Sequence, residues 1–417
     1  MRISKGRQTI RSVAALLSSN ITSSVLSAAG GLLAARFIGP VETGSFRSFT
    51  IPLTYLTFLH LGTWDGLWRQ MPYYAGKDRP DEVERIASTA GAFNIALSAV
   101  VSCGFLLCAL YSLARHDYYG FFGWLSQALC TWGVFYSGYL TLTYRTLHHF
   151  VDMAKIQVLQ TVASFGMVFL LPFLKFYGLC VRVAVPSLLG VWLFHRNQPL
   201  RITYRFDKKS FRELLVIGLP FSFWGSLYSS FWTATESALV LYLCDVSALG
   251  LFSVAVVMRG AMESLPTAMW QVFAPRIIAA FARDGGVGTM NRNNFQMTFL
   301  LTGFMAALVV IASFLLDILI PILIPKYVAG IQVMKICLWF SVVQTAFLPM
   351  SALVATGRSW LFGRSVIAGM VVFSLATYLL YPVIGGLLAV ALGSLLGRTA
   401  RTLAAYVDLI MLARSET

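Results

Sequence analysis

Run after run of about twenty apolar residues, separated by short polar breaks, gives this chain the repeat length of a lipid bilayer. A hydrocarbon core about 30 Å thick is crossed by a helix of roughly 20 residues, and only helices or closed barrels satisfy their backbone polar groups inside it. Barrel strands would alternate apolar and polar over about ten residues, whereas these runs are continuously apolar. Of 417 residues, 58% are hydrophobic and 12% charged, against about 25% charged in soluble domains. The expected class is an all-α polytopic membrane protein.

Twelve spans are expected: 13–35, 47–68, 87–113, 119–145, 156–174, 178–194, 214–242, 247–271, 294–319, 331–355, 362–381 and 386–412. The first follows Arg2, Lys5, Arg7 and Arg11 and exceeds the 7 to 15 apolar residues of a signal peptide, so it reads as a retained helix. Basic residues concentrate in cytoplasmic loops. With the N-terminus inside, 22 of the 32 Lys and Arg fall on the inner side, 6 in outer loops (Arg36, Arg47, Arg115, Lys175, Arg182, Lys326) and 4 within spans. Both termini are therefore expected in the cytoplasm of a cell whose inner membrane holds the chain. The basic stretch "HRNQPLRITYRFDKKSFRE" reads as a topology determinant touching anionic lipid, and the net charge of +15 does not call for nucleic acid. Six scattered cysteines without a Cys-x-x-Cys pair give no metal or disulfide framework, and no cofactor is expected.

The chain is written twice. "GPVETGSF" aligned on "DVSALGLF" sets Gly44 against Gly250; Trp68 and Pro72 match Trp270 and Pro275, Gly178 matches Gly385 and Tyr119 matches Tyr327, all at offsets of 202 to 208. A steady offset over half a chain marks duplication. Six spans per half leave both halves with the same membrane orientation, as in parallel-repeat transporters. The expected division is a lobe over 1–195, a cytoplasmic linker over 196–212 and a second lobe over 213–417. Gly39, Pro40 and Gly44 read as the outer turn between spans one and two, with Glu42 in a turn role.

"RFIGPVETGSF", its echo in span eight, "PKYVAGIQVMKI", "ATGRSWLF" and "YPVIGGLLAVAL" together resemble the polysaccharide (O-antigen, Wzx-type) flippases, relatives of the MATE drug antiporters and lipid II flippases in one exporter superfamily. The resemblance implies two six-helix lobes in a V around a central cavity that opens alternately inward and outward. It implies a substrate too: an oligosaccharide repeat unit on a polyprenyl diphosphate, moved to the outer leaflet with proton or sodium entry, in the company of membrane lipids and other polysaccharide assembly proteins.

Charges inside spans are costly and usually face a bundle interior or wet cavity. Arg398 and Arg401 share a face of span twelve near mid-depth, and two guanidinium forks suit a diphosphate; alternatively span twelve ends early and they mark the interface. Arg259 and Glu263, four apart on span eight, read as an internal ion pair. Asp65 and Arg69 repeat that spacing on span two. Glu236 stands alone in span seven, either as an ion-coupling acid, with Glu263 and Asp65 as further candidates, or as a hydrogen-bonded structural one. Arg145 and Arg364 stand where an anionic head group would enter, and Lys335 lies close enough to the outer surface to snorkel. The span-seven aromatics Phe221, Phe223, Trp224, Tyr228, Phe231 and Trp232 either stack on sugar or anchor the helix. Pro220, Pro266 and Pro349 are candidate kinks. None of His60, His116, His148, His149 and His195 has an evident catalytic partner. A MATE-type cation antiporter is the alternative function, and a membrane-embedded polysaccharide polymerase a more distant one; neither a nucleophile–base pair nor a large outer loop supports an enzyme.

Overall fold

A computed structural model describes the backbone of residues 2–147, 149–200, 202–284, 287–347 and 359–415, with side chains from Ser19 to Met411 apart from Ile21, Phe221, Leu265, 268–295 and Met297 within those ranges. His148 and Pro349 lie outside the described residues, as do the side chains of Phe221, Trp270 and Pro275. Helices make up the described fold, without a strand among them. In chain order they are α1 (Arg2–Phe37), α2 (Pro40–Leu56), α3 (Thr63–Gly76), α4 (Pro80–Ala114), α5 (Tyr118–Thr146), α6 (Phe150–Gly166), α7 (Leu171–Arg196), α8 (Lys208–Ser226), α9 (Trp232–Leu243), α10 (Val246–Asp284), α11 (Val287–Leu323), α12 (Ile331–Ala346), α13 (Ser359–Ile384) and α14 (Gly386–Ser415). Short 3₁₀ turns follow α2 and α6 and precede α12, and a π-helical stretch, Leu227–Phe231, joins α8 to α9.

Seven helical segments are long and apolar enough to cross a membrane, or eight with the bent Lys208–Leu243 rod. One of the seven, Phe150–Arg196, holds two passes. Lys175 inside it adopts φ 47° and ψ −120°, and the bonds Gln160 to Pro186 and Ser164 to Arg182 pair the two arms antiparallel around that point. Counting these arms separately and adding α1, the α2–α3 rod and α5 gives the twelve expected rods of a multi-pass membrane protein. Corresponding helices begin at Pro40 and Val246, Pro80 and Val287, and Tyr118 and Pro325, offsets of 206, 207 and 207. The duplication is thus carried by the helices themselves. The reversals between the last two rods of each half fall on Lys175 and on Gly385, whose φ is 81°; Gly178, expected opposite Gly385, lies three residues past its turn.

Several boundaries differ from the expected ones. Span two breaks where Leu61 and Gly62 turn left-handed, at φ 51° and 80°, and Pro220 stands at a 56° bend between Lys208–Pro220 and Ser222–Leu243, as an interior proline does when it removes a helical donor. Pro40 opens α2, the position where its missing N–H costs nothing, so the turn expected over the Gly-Pro stretch is confined to Ile38 and Gly39. Arg47 and Arg182, expected in outer loops, are therefore residues of α2 and α7.

By packing, the chain divides into one unit of 1–38 with 49–234 and another of 39–48 with 235–417. The linker and α8 thus belong to the first unit, against the expected division at 196–212. Two contacts explain this. Leu200, Ile202 and Tyr204 pack on the core of Leu67, Met71, Ile86, Tyr139 and Phe194, while Ser88 donates its hydroxyl to the Thr203 carbonyl and accepts the Arg205 N–H. Asp207 caps α8 by accepting the N–H groups of Lys209 and Ser210, and the Ser210 hydroxyl and N–H hold its carboxyl below the usual range. Then α8 crosses α3 at backbone distance, because a Cβ on Gly218 would collide with the Gly62 carbonyl and one on Gly66 with that of Leu214.

Within the second unit the duplicated motif packs on its own copy. A Cβ on Gly44 would collide with the Val246 carbonyl, and one on Gly250 with the Pro40 carbonyl. Each glycine thus receives the residue four positions before the other, and glycines are what let helix backbones approach so closely. Thr43 adds a hydrogen bond of 2.8 Å to the Tyr327 hydroxyl. Overpacking such a contact costs about 1–3 kcal/mol. Gly44→Ala and Gly250→Ala should therefore each lower the melting temperature in detergent by several degrees, whereas Gly104→Ala, with nothing within 4 Å of its Cβ, should not. Equal stability of all three variants would contradict the crossing.

Candidate functional site

Charge at membrane depth gathers in the second unit around Glu236, which is fully buried on α9. Arg259 of α10 donates Nη1–H to its Oε2 at 3.1 Å. Arg398 of α14 donates Nη2–H to its Oε1 at 2.8 Å, and Ser394, one turn earlier on α14, donates its hydroxyl to the same oxygen. Arg259 reaches Glu263 too, at 3.8 Å, so the expected i, i+4 pair forms and is extended by a second acid. Glu236 is not the solitary acid that its sequence neighbourhood suggests. It is the shared counter-ion of two arginines.

An aromatic floor completes the arrangement. The guanidiniums of Arg398 and Arg259 lie 4.9 and 5.5 Å from the centre of the Phe340 ring, within the range of cation–π attraction. Arg401 lies 3.7 Å from the Phe347 ring centre and is 2% exposed. Ser394, Arg398 and Arg401 stand at i, i+4 and i+7, one helical face. Arg398 and Arg401 are buried within the second unit.

Arg47 is the residue that sequence reasoning missed. It is half-buried on α2 and within electrostatic reach of Arg259 and Glu236. The signal was present: Pro40 opens a helix, and Arg47 follows Gly44 by three residues, so the glycine crossing that holds α2 on α10 also carries Arg47 toward the cluster. Arg259 and Arg398 thus share the carboxylate of Glu236, with Glu263 beside Arg259 and Arg47 within electrostatic reach. From the start of α10 to Arg259, and from the start of α14 to Arg398, is 13 and 12 residues, or about 20 Å and 18 Å at 1.5 Å per residue.

The remaining candidates lie elsewhere. Arg364 of α13 pairs with Asp408, a buried acid on α14, about two turns beyond Arg401 on that helix. Arg145 is exposed in the last turn of α5, and Asp65 is half-buried in the first turn of α3, both in the first unit. Lys335 pairs with Asp317 at 2.7 Å. Of the aromatics, Trp232 is fully buried, while Phe231 and Phe223 pack on Tyr55 and Phe58, an anchoring role. No group of three or more His, Cys, Asp or Glu among the described residues is arranged to hold a metal ion.

Chemically, two guanidiniums meet at one carboxylate, and their planar forks have the geometry that matches phosphate oxygens bidentately.

Helices in this order and packing give the chain the fold of MATE transporters of the MOP superfamily. It superposes on an inward-facing multidrug resistance MATE transporter of that superfamily with a TM-score of 0.67, 12% identity and coverage of 97% of this chain and 98% of the other. The MATE transporter VcmN of Vibrio cholerae gives 0.65 at 14% identity, covering 98% and 99%. A MOP superfamily transporter of Pyrococcus furiosus, described as having a binding pocket of reverse polarity that suggests a different function, gives 0.65 at 10% identity, covering 97% and 96%. No family model and no curated protein matches the sequence.

Removing one partner of a buried ion pair strands the other charge at a cost of about 3–5 kcal/mol. Glu236→Gln should therefore lower thermal stability sharply, and adding Arg398→Gln should restore part of it. A double-mutant cycle in detergent checks this; additive losses would contradict the shared pairing.

Proposed function

We propose that the chain is a flippase that moves a polyprenyl-diphosphate-linked oligosaccharide across the bacterial cytoplasmic membrane by alternating access, with both termini in the cytoplasm. The observation that supports this reading is the convergence of two buried guanidiniums, those of Arg259 and Arg398, on Glu236. A charged group at membrane depth is retained where function requires it, and paired guanidinium forks suit the oxygens of a diphosphate. The prenyl chain stays in lipid, the glycan follows the diphosphate, and no covalent chemistry is asked of the protein.

In this mechanism Arg398 and Arg259 exchange Glu236 for the diphosphate, while Arg401 and Arg47 add positive charge nearby. Arg364 lies further along and would meet the anion before or after that exchange. Glu263, a quarter exposed and held by Arg259 at 3.8 Å, is then a better-placed ion-coupling group than Glu236, whose two oxygens are both engaged. The Pyrococcus furiosus transporter, whose pocket of reverse polarity suggests a different function, is a precedent for a change of function within this fold. A MATE-type cation antiporter is the second reading, favoured by the fold likeness itself; the arginines paired with Glu236 and Glu263 weigh against it, because they repel a cation.

Transfer of a labelled polyprenyl-diphosphate oligosaccharide between leaflets of proteoliposomes tests the proposal. The parent protein should exceed protein-free vesicles, and Arg401→Gln should cut the rate by about ten- to a hundredfold, the scale of one lost charge-assisted bond of 1.5–3 kcal/mol. Transfer no faster than in protein-free vesicles would overturn it.

A further inference from the structure

A second cation at membrane depth stands in the first unit, and nothing described above uses it. Arg182 lies on α7 six residues past Phe176, about 9 Å along the helix. The helix there is built around it. Pro186, inside α7, lacks the N–H that would bond the Arg182 carbonyl. The Ser164 hydroxyl of α6 donates to that carbonyl instead, at 3.4 Å. In return Arg182 donates its Nε–H to the Ser164 carbonyl at 3.3 Å. One turn along, Gln160 donates to the carbonyl of Pro186 at 3.2 Å. Backbone and side chain of Arg182 are thus both tied to one residue, which fixes the direction of the guanidinium.

Space for the guanidinium comes from α1. A Cβ on Gly30 would stand 3.2 Å from Arg182 Nη2 and 3.3 Å from the Phe165 ring, so glycine leaves the gap that the fork occupies. A guanidinium has five N–H donors, and the Ser164 bond uses one. No acidic side chain among the described residues pairs with Arg182. The residue is half-buried rather than sealed in, so its outer N–H groups can be reached.

We propose that Arg182 is a phosphate-docking site within the first unit, its free fork taking the phosphate of a lipid headgroup or the diphosphate of a prenyl carrier. An oriented, accessible guanidinium with no carboxylate is an anion site awaiting its anion, and phosphate is the oxyanion of a membrane. The site is separate from the Glu236 cluster and holds whether or not the chain is a flippase.

Native mass spectrometry of the full chain tests this, with two probes added separately to delipidated protein: phosphatidylglycerol and farnesyl diphosphate. Arg182→Gln should remove one bound molecule per chain, or weaken binding about tenfold, for at least one probe. Loss confined to phosphatidylglycerol assigns the site to a headgroup, and loss confined to farnesyl diphosphate assigns it to a carrier. Gly30→Val keeps the charge but displaces the fork and should weaken the same probe, which separates docking from charge alone. Arg401→Gln in parallel reports the second-unit cluster, so failure at one site is distinguishable from failure at the other. Parent-like binding of both probes by Arg182→Gln and by Gly30→Val would overturn the proposal.

Discussion

The cost of desolvating charge governs the functional half of this protein. A guanidinium or carboxylate taken out of water costs several kcal/mol unless a partner of good geometry receives it, and within a bilayer it has few places to go. The second unit meets that constraint by directing Arg259, Arg398 and Ser394 at the two oxygens of one carboxylate, Glu236, over the ring of Phe340. Arg401, over the Phe347 ring, and Arg47 bring further guanidiniums to the same unit.

The duplicated glycine motif is what makes this geometry available. Gly44 and Gly250 let α2 and α10 touch backbone to backbone, and the first turns of α2 are thereby held in the second unit while the rest of that helix belongs to the first. Arg47 rides on those turns. The motif that looks like a simple turn repeat is therefore a reciprocal helix crossing, and it sets one of the arginines beside Arg259 and Glu236.

The fold was largely legible in the sequence because the bilayer imposes a length and a composition on every rod, and duplication imposes an offset; twelve rods and the offsets of 206 to 207 follow from those alone. Arg398, Arg401, Arg259 and Glu236 were legible one by one, since a charge inside an apolar run is conspicuous. Their meeting at one carboxylate was not, because it depends on how α9, α10 and α14 pack. Arg47 and Arg182 were missed for a smaller reason. Each stands within the first five residues of its expected span, 47–68 and 178–194, and so reads as a charge of the outer edge, whereas the helices begin at Pro40 and Leu171. The packing units depart from the expected division at 196–212 for a tertiary reason: α8 packs on α3 at Gly62 and Gly66, and Tyr204 seats the linker in the first unit.

Equilibrium binding to the purified protein addresses the central claim, that the buried arginines form an anion site, without requiring transport. Isothermal titration in detergent with a prenyl diphosphate and, separately, with a lipophilic organic cation compares the two polarities directly. The account predicts that the diphosphate binds, that its affinity falls in Arg259→Gln, and that the cation does not bind measurably. Binding of the cation with no binding of the diphosphate would contradict it.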